Sequence, residues 1–168
     1  MIHVCSLARL NETVERTGAR HVVSLIGDEA QVERPNRIAA ENHLWLRLHD
    51  ISLPLEGYIV PDEDHVADLL SFVRRWDRRA PLVVHCYAGI SRSTASAFAT
   101  VCALSPHRDE TGIANALRRA SPTATPNIRI VSLADRLLGR QGRMVSAIEG
   151  IGRGDLAVEG NPFRLNLD

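Results

Sequence analysis

Apolar positions in this chain follow two periods in turn, and the switching between them is what the sequence first says about its fold. Residues 2–5, 21–26, 44–48 and 82–85 are short apolar or alternating runs of strand length. Elsewhere the apolar spacing lengthens to that of a helix face. A helix capped by Ser6 and closed near Gly18 is expected after the first run. Residues 61–79 set Val66, Leu69, Leu70, Val73 and Trp76 on one helical face. Asp62 and Asp64 stand in the first turn of that helix, where acidic residues suit its positive end. From Ser91 the pattern is helical to the end, over 91–104, Glu110–Ala120, 128–138 and 142–151. The expectation is a single α/β domain with a mainly parallel central sheet of four or five strands, flanked by helices, and with a helical C-terminal half. Such sheets take ligands beyond the carboxyl ends of their strands.

Candidate chemistry gathers at one of those ends. In Val83-Val84-His85-Cys86-Tyr87-Ala88-Gly89-Ile90-Ser91-Arg92-Ser93, one cysteine and one arginine fall in a short connection between strand and helix. Backbone N–H groups of Tyr87, Ala88, Gly89, Ile90, Ser91 and Arg92 would point into one concavity at a helix N-terminus, which favours an anion. Gly89 gives the torsional freedom a tight loop needs, and the planar fork of Arg92 matches two oxygens of a phosphoryl group. A cysteine at the base of such a loop sits in a positive field that favours the thiolate.

The pattern His-Cys-x5-Arg-Ser resembles the signature of the cysteine-based protein phosphatases, and the flanking residues are most similar to its dual-specificity branch. The specific part of the resemblance spans residues 82 to 94, and the looser part about 1 to 140. It implies Cys86 as the nucleophile of a phosphocysteine intermediate and Arg92 as the ligand of substrate and transition state. It further implies Ser93 as a donor to the departing thiolate, and His85 as a residue that holds the loop and tunes the thiol. Read from its residue type alone, His85 is as well explained as a buried, hydrogen-bonded structural histidine. The family also uses a carboxylic acid on a separate loop to protonate the leaving oxygen. Asp50, just past a strand end, matches that position; Asp62 and Asp64 are the alternatives. Pro126-Asn127 is similar to a downstream proline-asparagine element of the same branch.

Composition narrows the class of protein. A chain of 168 residues that is 45% hydrophobic can bury the core of one domain. The catalytic part is expected over 1–150, with a Gly-rich tail over 151–168. A formal net charge of +0 gives no electrostatic case for nucleic acid or a membrane surface. All 20 basic residues are arginine, which reads as the coding bias of a bacterial genome, and Arg74-Arg75 with Arg78-Arg79 reads as the solvated end of a helix. Three cysteines, no long apolar run, and no basic segment ahead of one at the N-terminus suit a reduced, cytoplasmic protein. The seven histidines show no ligand spacing, so neither metal nor other cofactor is expected. Oligomeric state has no signature.

Substrate class stays open on the sequence. Aromatic residues make up 4%, and no phosphotyrosine-recognition loop of the tyrosine-specific enzymes is evident, so a shallow pocket is expected. Tyr87 and Ile90 are neutral where phosphoinositide phosphatases carry basic residues. The leading reading is a phosphatase of phosphotyrosine proteins or peptides, with phosphoserine and phosphothreonine also in range. The others are a lipid or nucleotide monoesterase, a sulfurtransferase or arsenate reductase, and a non-catalytic phosphate-binding module. In the fold that the resemblance implies, the first strand lies beside the one that ends at Cys86, so Cys5, which closes it, is either a redox partner for that thiol or a core residue. Cys102 reads as core.

Overall fold

A computed structural model of the chain describes all residues 1–168. The strands are β1 (Ile2–Ser6), β2 (His21–Leu25), β3 (His43–Leu46), β4 (Leu82–Cys86) and β5 (Phe163–Leu165). The helices are α1 (Leu10–Thr17), α2 (Glu63–Arg75), α3 (Arg92–Leu104), α4 (Glu110–Ala120), α5 (Ile128–Leu137) and α6 (Arg143–Ile151). The sheet order is β3-β2-β4-β1-β5; the first four strands run parallel and β5 joins antiparallel to β1. The expected α/β domain with a mainly parallel sheet is therefore the observed one. β4 sits at its centre, buried on both faces, which is why its sequence is a continuous apolar run and not an alternating one.

Small residues let α3 lie close behind the end of β4. Ser93 through Cys102 are all buried, with Phe98 the one large side chain among Ala, Ser, Thr and Val. α2, α4 and α5 pack around α3, and this layer holds the larger core. A smaller cluster, Cys5, Leu10, Val14, Ala19, Val22, Ile38 and Val83, lies under α1. No helix is long and apolar enough to cross a membrane.

Four expectations need correction. Ser6 is no helix cap: it ends β1, α1 begins without a side-chain cap at Arg9, and the Ser6 hydroxyl donates instead to Glu159 at 2.5 Å. The helix expected over 61–79 stops at Arg75, because Trp76 turns extended and Arg78 takes a positive φ of 61°, so the second arginine pair lies in a turn. The C-terminal half is not helical to the end, since β5 brings the last residues back to the sheet edge. Cys5 cannot meet Cys86. Register pairs Cys5 with His85 and Ser6 with Cys86, and neighbouring residues of a strand face opposite sides of the sheet. Burial also pushes the Cys5 thiol up to about 12. Cys5 is core, as Cys102 is.

Candidate active site

Cys86 ends β4, and the chain wraps over its sulfur before entering α3. Sγ lies 3.1 Å from the Ser93 hydroxyl and accepts the Gly89 N–H at 3.2 Å. Gly89 has φ +73°, and a side chain there would strike the backbone of Cys5 and Ser6 at 2.8 Å, so the loop closes this tightly because residue 89 is glycine. The loop's carbonyls turn outward to partners elsewhere. Tyr87 O accepts from Leu7 N–H, Ala88 O from Gly160 N–H, Ile90 O from Thr125 N–H, and Ser91 O from Asn127 N–H. The Thr94 hydroxyl lies within bonding distance of the last two as well. With these carbonyls held outside, the N–H groups of the same rigid peptide planes turn the other way, and that of Gly89 meets the sulfur.

Arg92 begins α3 and is 4% exposed. Its Nη1 donates to Glu29 Oε1 at 2.5 Å and to Leu48 O at 2.9 Å. Its Nε is buried with no partner in the chain. A buried N–H is normally satisfied, and an orphan on a guanidinium already fixed from one side marks the edge offered to a ligand. Glu29 carries no sequence signal for this role: it lies in the irregular stretch after β2, far from Arg92 along the chain.

Asp50 stands on the exposed loop that follows β3. Its Oδ1 accepts from the Ser91 hydroxyl at 2.7 Å and from Asn127 Nδ2 at 2.8 Å. Both donors use one oxygen, which leaves Oδ2 without a hydrogen bond in the chain. Asn127 meanwhile caps α5, accepting from Arg129 and Ile130 N–H. The sequence offered Pro126-Asn127 as a resemblance; the structure ties it to Asp50. Asp62 is employed otherwise. It caps α2 in a reciprocal arrangement with His65. Desolvation pulls its carboxyl upward but is outweighed by N–H donors and the His65 ring, which hold it below the ordinary range. Asp64 lies two residues further on, in the first turn of the same helix.

His85 points away from the sulfur. Its Nε2 shares a 2.6 Å hydrogen bond with Ser24 Oγ, which also meets His43 Nε2 at 2.8 Å. Desolvation, partly offset by backbone hydrogen bonding at Cys86, pushes the His85 imidazole down to about 3, so it is neutral in the folded protein. It supports β4 from the side opposite the thiol.

Asp28, Glu29 and His49 bring three potential metal ligands within 4.8 Å of one another, a grouping the sequence did not reveal. The hydrogen bonds assign them another task. His49 Nδ1 accepts the Ile59 N–H at 2.9 Å, so the ring's proton sits on Nε2, which donates to Asp28 at 2.6 Å. Metal ligation at Nε2 would strip both ring nitrogens of protons. His49 instead clamps the two ends of the Asp50 loop together, through the 2.8 Å bond from its own N–H to Ile59 O as well.

With this geometry in hand, comparison with known proteins gives a consistent picture. A sequence profile of the family described as protein-tyrosine phosphatase matches residues 54–122. No curated protein matches. The crystal structure of DUSP15 is 19% identical, with a TM-score of 0.65 over 89% of this chain and 90% of that one. The PTP-2 phosphatase of Cydia pomonella is 18% identical, with a TM-score of 0.62 over 80% and 84%. The human tyrosine phosphatase-like serine/threonine/tyrosine-interacting protein is 16% identical, with a TM-score of 0.64 over 83% and 92%. The chain has the fold of the cysteine-based tyrosine and dual-specificity phosphatase superfamily.

Proposed function

We propose that this protein is a phosphatase acting on phosphotyrosine in proteins or peptides, with phosphoserine and phosphothreonine also in range. The observation that carries the reading is the orphaned Nε edge of buried Arg92 at the end of the loop whose Gly89 N–H donates to the Cys86 thiol. In the first step Cys86 Sγ attacks phosphorus and the ester P–O bond breaks, while the proton of Asp50 Oδ2 passes to the leaving oxygen. Arg92 and the loop N–H groups hold the three equatorial oxygens throughout. In the second step water attacks the phosphocysteine, Asp50 takes its proton, and the S–P bonding pair returns to Cys86, where the Ser93 hydroxyl donates to the thiolate. His85 acts on this chemistry only by fixing the strand beneath it.

A protein substrate is favoured over a headgroup by what surrounds the cleft. Leu53, Leu55, Tyr58 and Ile59 on the Asp50 loop and Tyr87 on the phosphate loop are all exposed. Apolar groups gathered at a site suit a polypeptide more than a polyanion. The fold also occurs in a protein described as phosphatase-like and interacting, so binding without turnover is the alternative to test.

Hydrolysis of an aryl phosphate and a phosphotyrosyl peptide in the presence of a chelator, inhibited by vanadate, is the expected result. Cys86→Ser should lose at least 10³-fold in turnover, by the order of effect seen when a nucleophile is removed, yet still bind vanadate. Retention of a tenth of the wild-type rate by Cys86→Ser would remove the nucleophile from the mechanism. Anion binding without turnover in the wild type would leave the non-catalytic module.

A further inference from the structure

The last residues of the chain do more than close the sheet. Between α6 and β5 they run as a strap along the outside of the phosphate loop. Gly154 N–H donates to the Thr125 hydroxyl at 3.1 Å, Asp155 N–H to Pro122 O at 3.0 Å, and Gly160 N–H to Ala88 O at 2.9 Å. Glu159 accepts from Ser6 at the end of β1, and β5 then pairs with the same strand. At Gly160 the approach is so close that a Cβ would stand 3.0 Å from Gly89 O and 3.3 Å from Ile90.

One peptide unit connects the strap to the chemistry. The carbonyl bound by Gly160 is that of Ala88, and the N–H of that same peptide, on Gly89, donates to Cys86 Sγ. A peptide plane is rigid, so holding its oxygen outward holds its N–H inward. Turning it over would aim an oxygen at the anion. Glycine at position 89 leaves that rotation open at low conformational cost, and within the loop only the Gly89 N–H bond to Cys86 Sγ opposes it. We infer that the strap sets the orientation of the Ala88–Gly89 peptide and so makes the loop anion-binding, with Gly160 the positioning residue and Glu159 its anchor. The inference rests on the phosphate-binding reading of the loop, though not on turnover.

Oxyanion binding in the full chain tests it directly. Glu159→Ala and Gly160→Val should each weaken vanadate or inorganic phosphate affinity about tenfold or more, the order expected for a misaligned hydrogen bond to a charged ligand. They should also lose the preference of Cys86 for anionic iodoacetate over neutral iodoacetamide, measured as a ratio of alkylation rates in folded protein. General destabilisation would leave that ratio unchanged. Glu159→Gln, which can still accept from Ser6, should restore both properties, and Val158→Ser, at a residue 97% exposed on the same strap, should alter neither. If Gly160→Val fails to fold, Glu159→Ala decides the matter. Wild-type affinity and alkylation ratio in Glu159→Ala would overturn the inference, as would a wild-type protein that binds no oxyanion. A wild type that binds vanadate and hydrolyses nothing would overturn the phosphatase reading while leaving the strap in place.

Discussion

The two loops that meet over Cys86 are built in opposite ways. The phosphate loop is tied on its outer side by Leu7 just past β1, α3, the 125–127 segment and the strap, with a bond to nearly every carbonyl. The Asp50 loop is pinned at its ends by His49 and Ile59, and near Asp50 by Ser91, Asn127 and Arg129, while residues 52–59 are exposed throughout. On the proposed mechanism, the difference follows from what each loop must do. Stabilising a charged transition state by fixed dipoles requires donors that do not reorganise, because donors that must turn during the reaction give back part of the stabilisation. An acid has only to reach the leaving oxygen, whose position changes with the substrate.

Damage to the acid loop should therefore depend on the substrate, and damage to the phosphate loop should not. Asp50→Asn should slow hydrolysis of alkyl phosphates by about 10²- to 10⁴-fold and barely touch aryl phosphates with acidic leaving groups. A plot of log kcat against leaving-group pKa, flat for wild type and steep for the variant, would display the effect; parallel lines would assign Asp50 a positional role. Arg92→Lys should lose about 10²- to 10³-fold on every substrate, since a point charge cannot reproduce the guanidinium edge and Glu29 would hold the ammonium back. Near-normal kinetics there would remove Arg92 from the site.

Asn127→Ala attacks the hinge between the two loops. It removes the Asp50 contact and the α5 cap together, so it should cost about 1 kcal/mol of stability and cut turnover of alkyl phosphates about tenfold. Thermal unfolding gives the first quantity and the leaving-group series the second. Equal loss on all leaving groups would show that only the helix end had suffered.

How much of this could be read from the chain depends on whether a feature is local. The run 82–94 carries its own strand, turn glycine and helix start, and periodicity alone located β1, β2, β3, β4 and four of the helices to within about two residues. Glu29 on Arg92, Asn127 on Asp50, Ser24 under His85 and Gly160 on Ala88 are contacts between distant segments, and five of those eight residues lie in irregular backbone with no period to read. Ser6 shows the same limit in reverse. Its residue type suits a cap, but the parallel pairing of β1 with β4 extends the strand through it and the strap takes its hydroxyl.

The effect with least bearing on the loops concerns the frame under the phosphate loop, which acid should weaken without touching either loop. Burial lowers His3, His21, His43 and His85, the last from 6.5 to about 3. A base depressed on folding is protonated in the unfolded chain first, so the unfolded state binds more protons between about pH 6.5 and 3 and stability falls with pH across that window. At pH 5 the share of His85 alone is about 2 kcal/mol, from the separation between 6.5 and 5 at about 1.4 kcal/mol per unit. Urea unfolding of wild type at pH 7.5 and 5 should show a loss at least that large. His85→Gln, which can keep a bond to Ser24, should be less stable at pH 7.5 yet lose about 2 kcal/mol less on acidification. Since His85 faces away from the sulfur, the folded variant should keep its vanadate affinity at pH 7.5. A variant with the wild-type pH dependence would place the titrating group elsewhere, and one that folds but no longer binds vanadate would show that the loop depends on the histidine beneath it as well as on its outer ties.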